Sequence, residues 1–262
     1  MKATKKILAR MSTLVLAVVL SACVATSHRL KNADGSDSSV QLQVYQADEK
    51  KAAPTVLIGH GSAGVSANHH EWANTVNNWG YNAVVIDHYT LRGITSHPRN
   101  MVNGARPKER AKDFADVAEW VQRQPWHKGK IVIMGFSHGG SGVLAYANAP
   151  AMNRMNLWTG DKKDPVAAVV SFYPACYWEG PPDKPRLPVM LLLAEKDDLA
   201  DPQYCSPISS PMYDVHVMKN ATHSFDENIS SGARLSFTHR YSSEAVTESK
   251  SLTKAFLAKH LN

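Results

Sequence analysis

The segment IVIMGFSHGG, residues 131–140, contains the strongest indication of fold in this chain. Its first four residues are apolar and predict a buried strand, and the small residues of His138–Asn148 predict a helix. Between the two lies the pattern Gly-x-Ser-x-Gly, which in this setting places a serine on a sharp turn at the carboxyl end of the strand. Ser137 is therefore the candidate nucleophile, and its flanking glycines would let the backbone and the helix pack closely around the turn. The alternative is a glycine-rich turn with no chemical role.

Strand-like and helix-like segments alternate on both sides of this turn. Short apolar runs predict buried strands at residues 55–58, 83–86, 166–172, 189–193 and 215–217. Helix-like patterns predict helices at residues 69–79, 108–122 and 244–261. Residues 40–45 alternate apolar and polar side chains, as an edge strand does. Near-continuous apolar strands separated by helices predict a mostly parallel central sheet with helices on both faces. We expect one α/β domain over residues 40–262, with little or no lid, because the segment 173–188 is short and rich in proline.

The composition is that of a globular protein. The 262-residue chain is 44% hydrophobic and 20% charged, which suits one domain with a sizeable core. The formal net charge is +6, but Lys2, Lys5, Lys6 and Arg10 supply four of these charges and the first 22 residues contain no acid. The remaining charge of about +2 is a weak field. Because no basic run with interleaved aromatic residues follows, we do not expect nucleic acid as a partner.

Basic residues and then a mainly apolar run, residues 11–20, open the chain. The run is too short to span a bilayer, which needs roughly 20 residues, and it is typical of a secretory signal peptide. The LSAC sequence that ends at Cys23 resembles the lipobox of bacterial lipoproteins, in which the cysteine is lipidated and becomes the first mature residue. We expect a signal peptide over residues 1–22, lipid on Cys23, a polar tether over residues 23–39, and an exported protein anchored to a membrane on the periplasmic side or in the cell envelope. The alternative is a plain signal peptide with an incidental Cys23.

A serine is a poor nucleophile by itself and needs a base and a residue that orients the base. Asp197 and Asp198 follow the apolar run 189–193, and either could be that acid. His223 follows the last predicted strand and is the candidate base. The order serine, acid, histidine along the chain is the one that accompanies a Gly-x-Ser-x-Gly turn of this kind. The alternatives are a helix-capping role for the aspartates and a surface position for His223.

The glycine-rich loop LIGHGSAG, residues 57–64, is the candidate for one half of an oxyanion hole. Such a hole uses the backbone N–H of the residue after the nucleophile, here His138, and a second N–H from a loop after an earlier strand. Ser62 is the candidate for that second donor. The alternative is that the glycines only form a tight turn.

From about Val40 to the C-terminus, the chain resembles the dienelactone hydrolase family of α/β hydrolases. The resemblance rests on the segments HGS (60–62), DHYTLRGI (87–94), MGFSHGG (134–140), FYP (172–174), EKDD (195–198) and ATHSF (221–225). It implies the α/β-hydrolase fold and the hydrolysis of esters or lactones without a cofactor. Founding members have a cysteine in place of Ser137, which favours a general carboxylic ester hydrolase here. The family has glycine where Ala194 stands, three residues before its aspartate, and the same count selects Asp197, although the position of Pro202 suits Asp198.

Loops that follow strands carry three further candidate residues. Arg92 would be placed either to bind a substrate carboxylate or to form a structural salt bridge. Cys176 and Cys205 would lie in an oxidising compartment after export, and with Cys23 lipidated their number is even. In this fold their loops follow neighbouring strands, and related proteins often carry cysteines at both places. We therefore expect a disulfide between them, with two separate buried thiols as the alternative.

The residues together predict a serine hydrolase that cleaves small carboxylic esters or lactones through an acyl-enzyme, with Ser137, Asp197 and His223 as its triad. A metal enzyme is a rival, but the chain has no helical His-x-x-x-His pair with a glutamate and no paired-cysteine motif. A non-catalytic binding lipoprotein and a peptidase, both on the same fold, are two further rivals. The complete triad argues against the binding lipoprotein, and the lack of a recognisable substrate-sorting domain argues against the peptidase. No metal or cofactor is expected.

Overall fold

The computed structural model describes residues 25–31, 37–94, 105–148, 163–177, 180–205, 210–228 and 237–262. The strands of this part of the chain are β1 (Thr26–Lys31), β2 (Asp37–Tyr45), β3 (Ala53–Gly59), β4 (Asn82–Asp87), β5 (His127–Phe136), β6 (Val166–Phe172), β7 (Val189–Ala194) and β8 (Tyr213–Met218). Its α-helices are α1 (Ala67–Asn78), α2 (Pro107–Gln122), α3 (His138–Ala147) and α4 (Ser243–Leu261). Short 3₁₀ turns lie at Thr90–Arg92 and Pro202–Cys205.

The eight strands form one sheet in the order β1-β2-β4-β3-β5-β6-β7-β8. The strands from β4 to β8 in this order run parallel to one another, and β2 is antiparallel to both β4 and β1. Leu57 in the middle of the sheet lies beside Val84 on one side and Ile133 on the other. The prediction of a mostly parallel sheet is confirmed.

Each face of the sheet has its own hydrophobic core. Side chains alternate between faces along a strand, so Leu57 packs into the core that includes Phe114 of α2, while Val56 and Ile58 pack into the core that includes Trp72 of α1. Helices α2 and α3 cover the first face, and α1 and α4 cover the second. Each fully buried side chain of this kind contributes about 1.5–3 kcal/mol to folding. Helices on both faces explain why a parallel strand inside the sheet, such as β7, is apolar throughout.

The first edge of the sheet differs from the sequence prediction. Residues 26–31 of the predicted tether form β1, which pairs antiparallel with β2, and the predicted tether also overlaps the start of β2 at Asp37. The tether assignment is therefore wrong for these residues, and β2 is the second strand rather than the edge. The physical reason is that β1 satisfies the open hydrogen-bonding edge of β2 and buries Leu30, which is 2% exposed.

The strand order places the loops that matter at one end of the molecule. Parallel strands send the loops that follow their carboxyl ends to the same edge of the sheet. The chain passes from β3 to β4 on one side and from β5 to β6 on the other, so β3 and β5 flank the point where the winding reverses. In open α/β sheets, ligands bind outside the carboxyl ends of the strands at this point. The loop after β3 and Ser137 after β5 lie on either side of it.

Candidate active site

Ser137 occupies a strained turn between β5 and α3. Its φ is 51° and its ψ is −115°, a region that residues other than glycine rarely adopt. The backbone around it is fixed, because its N–H donates to the carbonyl of Phe172 (2.9 Å) and its carbonyl accepts from the N–H of Ser141 (3.0 Å). The surrounding structure therefore holds the serine in a conformation that it would not adopt by itself.

Two glycines are required by the space around this turn. A Cβ atom on Gly135 would lie 2.3 Å from the carbonyl oxygen of Gly139, and a Cβ atom on Gly139 would lie 2.5 Å from the carbonyl oxygen of Gly59. Both contacts are with backbone atoms, which cannot move aside as a flexible side chain could. The glycines of the motif thus allow α3 to begin directly against the ends of β5 and β3.

Ser137, His223 and Asp197 form one hydrogen-bonded chain. The Oγ of Ser137 lies 2.8 Å from Nε2 of His223, and Nδ1 of His223 lies 2.7 Å from Oδ2 of Asp197. A carboxylate accepts at Nδ1, so the proton lies there and Nε2 is free to accept from the serine hydroxyl. His223 is 2% exposed and Asp197 is 5% exposed. The arrangement can remove a proton from the serine in a site that is shielded from water.

The structure brings Asp197, and not Asp198, to the histidine. Besides His223, the carboxylate of Asp197 accepts from the backbone N–H groups of Leu199 (3.0 Å) and Ala200 (2.7 Å), which fix its orientation. Asp198 is exposed and accepts instead from the hydroxyl (2.6 Å) and N–H (2.9 Å) of Thr238. The hydrogen bond from the Thr238 hydroxyl lowers the pKa of Asp198.

The two candidate oxyanion donors lie beside the serine. A Cβ atom on Gly61 would lie 3.4 Å from Cβ of Ser137, so the loop that carries Ser62 passes directly next to the nucleophile. His138 is the first residue of α3. The first N–H groups of a helix have no acceptor within the helix, and the helix dipole favours negative charge there. Both positions are suited to bind a negative oxygen that forms near Ser137.

Two acidic residues outside the candidate triad, Asp226 and Glu227, hold the histidine loop in place. The carboxylate of Asp226 accepts from Asn68 (2.9 Å), Trp72 (2.8 Å) and the hydroxyl of Tyr173 (2.6 Å). The Tyr173 ring lies 4.9 Å from the ring of His223, and burial raises the pKa of the Tyr173 hydroxyl. Asp226 thereby ties the loop after β8 to α1 and to the end of β6. No sequence signal identifies it, because its three partners are distant along the chain.

A second link joins the histidine loop to the loop after β3. The hydroxyl of Ser66, which precedes α1, lies 2.9 Å from Oε1 of Glu227. Burial raises the pKa of the Glu227 carboxyl. The two loops that flank Ser137 are therefore connected to each other as well as to the sheet.

Arg92 forms the structural salt bridge that was one of its two predicted roles. Its guanidinium donates to both carboxylate oxygens of Asp113, at 2.7 and 2.9 Å, and to the carbonyl of His88 at 2.8 Å. Asp113 also contacts Nδ1 of His88 at 2.7 Å. Because the guanidinium is held by these partners, the geometry does not favour the predicted role of Arg92 in binding a substrate carboxylate.

Cys176 and Cys205 are joined by a disulfide, with their Cα atoms 5.3 Å apart. The bond links the loop after β6 to the 3₁₀ turn that follows the Asp197 loop. The cysteines are 29 residues apart, and closing a loop of this length stabilises the fold by about 3–4 kcal/mol in the chain-entropy model. The disulfide therefore braces the segment next to the acid of the hydrogen-bonded chain.

Cys23 and the predicted signal peptide lie outside the described residues. Within the part of the chain that the structure covers, no helix is long and apolar enough to cross a membrane. Among the same residues, no three histidine, cysteine or acidic side chains are grouped as a metal site would require.

Comparison with known proteins places this geometry in a family. The model of the dienelactone hydrolase family matches residues 42–261, and no curated protein matches the chain in sequence. A candidate dienelactone hydrolase from Klebsiella pneumoniae has a TM-score of 0.69 at 17% identity, with 91% of this chain and 100% of that chain covered. A dienelactone hydrolase-like promiscuous phosphotriesterase from metagenomic libraries has a TM-score of 0.64 at 18% identity, covering 91% and 99%. A dienelactone hydrolase from Anabaena variabilis has a TM-score of 0.62 at 16% identity, covering 91% and 99%. At these identities the solved structures establish the fold alone, whereas the family match spans most of the sequence. The chain therefore belongs to the dienelactone hydrolase family of α/β hydrolases.

Proposed function

We propose that this protein is a serine hydrolase that cleaves carboxylic esters or lactones, with Ser137, His223 and Asp197 as its catalytic triad. The observation that carries the proposal is the chain of two short hydrogen bonds from Ser137 through His223 to Asp197. A serine that donates to a histidine, with that histidine oriented by a buried carboxylate, is the arrangement that activates a hydroxyl for attack.

The reaction begins when the Oγ of Ser137 attacks the carbonyl carbon of the ester and its proton moves to Nε2 of His223. Asp197 keeps the imidazole in the required tautomer and stabilises the imidazolium that forms. His223 then donates the proton to the leaving alcohol oxygen as the bond from that oxygen to the carbonyl carbon breaks. A water molecule, deprotonated by His223, attacks the acyl-enzyme, and the acid product leaves as Ser137 regains its proton.

The negative charge that develops on the carbonyl oxygen is stabilised by the backbone N–H groups of Ser62 and His138. Each such donor is worth about 3 kcal/mol in comparable enzymes. The proximity of Gly61 to Ser137 and the position of His138 at the start of α3 support this assignment.

The test is turnover of p-nitrophenyl esters of graded acyl length by the wild type and by Ser137→Ala. The wild type should hydrolyse at least the short esters, and Ser137→Ala should abolish the activity with an unchanged circular dichroism spectrum. A fluorophosphonate probe should label the wild type covalently and leave Ser137→Ala unlabelled. A wild type that is neither active nor labelled would favour the non-catalytic binding protein. Labelling together with cleavage of peptides but not esters would favour the peptidase.

We further propose that the protein is an exported lipoprotein anchored through Cys23. The support is the ten-residue apolar run followed by LSAC. Stable anchoring needs more than one acyl chain, and bacterial lipoproteins with this signal carry several. Wild-type protein should be recovered with membranes and should incorporate labelled palmitate, while exported Cys23→Ala should be recovered in the soluble fraction without label. A Cys23→Ala form that still partitions with membranes after export would contradict the proposal.

A further inference from the structure

A fully buried arginine lies behind the loop that carries Ser62. Arg110 projects from α2, and its guanidinium donates to the carbonyl oxygens of His60 (2.6 Å), Ala105 (3.2 Å) and Gly61 (3.4 Å). Burying a cation is costly unless its donors find acceptors. The carboxylate of Asp113 lies nearby, but it accepts two short hydrogen bonds from the guanidinium of Arg92. Two of the three backbone carbonyls that accept from this buried cation belong to the loop after β3.

The same loop is held by the ring of His60. The backbone N–H of His88 lies 3.1 Å from Nε2 of His60 and donates to it, so the proton of this imidazole must lie on Nδ1. That Nδ1 lies 2.6 Å from the carbonyl oxygen of Gly61 and donates to it. The Gly61 carbonyl therefore has three donors, the His60 ring and, at longer range, Arg110 and the backbone N–H of Gly64 (both 3.4 Å).

The direction of the Gly61 carbonyl sets the direction of the Ser62 N–H. The two groups belong to one peptide unit, and in a planar trans peptide the C=O and N–H point in opposite directions. Holding the carbonyl oxygen toward His60 and Arg110 consequently turns the Ser62 N–H away from them. Gly61 itself lies against Ser137, next to which the oxyanion would form.

Arg110 also packs against the helix that supplies the other donor. A Cβ atom on Gly142 of α3 would lie 2.9 Å from Cβ of Arg110, so α2 and α3 approach closely at this residue. The N-terminus of α3 carries His138. Arg110 therefore lies between the loop that bears one candidate donor and the helix that bears the other.

We propose that Arg110 is a positioning residue for the oxyanion hole, which fixes the Gly61–Ser62 peptide so that the Ser62 N–H faces the developing oxyanion. This inference rests on the proposed function. Catalysis by an oxyanion hole requires donors that are already oriented when the charge appears, and a displacement of about 1 Å can lower the rate about 10²-fold. Substrate binding before the reaction depends much less on these donors.

The experiment compares Arg110→Met with Arg186→Met in hydrolysis of p-nitrophenyl acetate. Arg186 is a matched control, because it is also largely buried and donates to a backbone carbonyl, that of Tyr146 (2.9 Å), away from the loop after β3. Arg110→Met should lower kcat per folded molecule about 10²-fold with KM nearly unchanged. Arg186→Met should change stability but leave kcat within about twofold of wild type.

A second readout separates positioning from folding. Phenylboronic acid adds to the serine as a tetrahedral anion, so its inhibition constant should rise in Arg110→Met in parallel with the loss of kcat/KM. If Arg110→Met does not fold, Arg110→Lys replaces it, and the shorter reach of its single ammonium should still lower kcat at least tenfold. If a folded Arg110 variant kept the wild-type kcat and boronate affinity, the role inferred for Arg110 would be overturned and the proposed ester hydrolysis would stand. A wild type without ester hydrolysis would overturn the proposed function, and this inference with it.

Discussion

Ser137 shows how much of a candidate active site depends on a single residue's conformation. A positive φ at a residue other than glycine costs about 1–3 kcal/mol, and the hydrogen bonds to Phe172 and Ser141 hold it there. The result is a hydroxyl that projects from the turn toward Nε2 of His223. The packing of the strands and the helix therefore offsets the strain at Ser137 and holds its Oγ atom in place.

Asp197 and Asp198 offer a sharp comparison at the same scale. Asp197→Asn should lower kcat about 10⁴-fold, because an amide at this position disfavours the tautomer in which Nε2 of His223 accepts. Asp198→Asn should lower kcat less than about tenfold, since that carboxylate contacts Thr238 instead. Steady-state kinetics on a short p-nitrophenyl ester measure both. The opposite ranking would assign the role of acid to Asp198.

At the scale of elements, the junction of β5 and α3 depends on close backbone contact. Gly135→Ala should reduce the free energy of unfolding by about 3 kcal/mol, at the upper end of the usual range for overpacking, because its methyl group would lie 2.3 Å from the Gly139 carbonyl oxygen. Ester hydrolysis should fall as well, since the same turn holds Ser137.

The matched control is Gly180→Ala. A Cβ atom there would lie 3.5 Å from the carbonyl oxygen of Cys176, an ordinary contact. Urea denaturation should show a change within about 0.5 kcal/mol for this variant. If Gly135→Ala and Gly180→Ala lost equal amounts of unfolding free energy, the close contact with the Gly139 carbonyl oxygen could not be the cause of the loss.

At the scale of the whole molecule, buried neutral histidines should make the fold sensitive to acid. Burial lowers the pKa values of His60, His88 and His138, and burial lowers the pKa of His69 to about 4. Between the unfolded value of about 6.5 and the folded value, the unfolded chain binds more protons, so stability falls as the pH falls. For His69 alone, the loss between pH 7 and pH 5 is about 2 kcal/mol.

The measurement is the free energy of unfolding at pH 7 and pH 5 for the wild type and for His69→Gln. The difference between the two pH values should be about 2 kcal/mol smaller in the variant. Burial raises the pKa of Asp113 and Glu227, and these carboxyls act in the opposite direction. The comparison between the two proteins removes their contribution. An identical pH dependence in both would contradict the assignment of a neutral buried His69.

The sequence predicts local features of this chain well because each is written in neighbouring residues. Apolar runs predict strands such as β6, for which residues 166–172 match the structure at both ends. The sequence predicts the N-terminal edge less well, since the polar composition of residues 26–31 does not reveal that β2 leaves a hydrogen-bonding edge for them to cover. Arg92 illustrates the same limit, because its sequence position allows either a substrate or a carboxylate partner.

Residue patterns alone predict the α/β fold class, the strained turn at Ser137 and the order of the candidate serine, acid and histidine. These features follow from the periodicity of apolar residues and from glycines at fixed spacing. Both patterns involve only residues that are close together along the chain. The folded structure is needed to show which aspartate reaches His223, which partner holds Arg92, and that Arg110 and Asp226 support the loops around Ser137. These contacts join residues from 21 to 158 positions apart along the chain. The physical reason is that such hydrogen bonds form only after the sheet has brought the ends of its parallel strands to one edge.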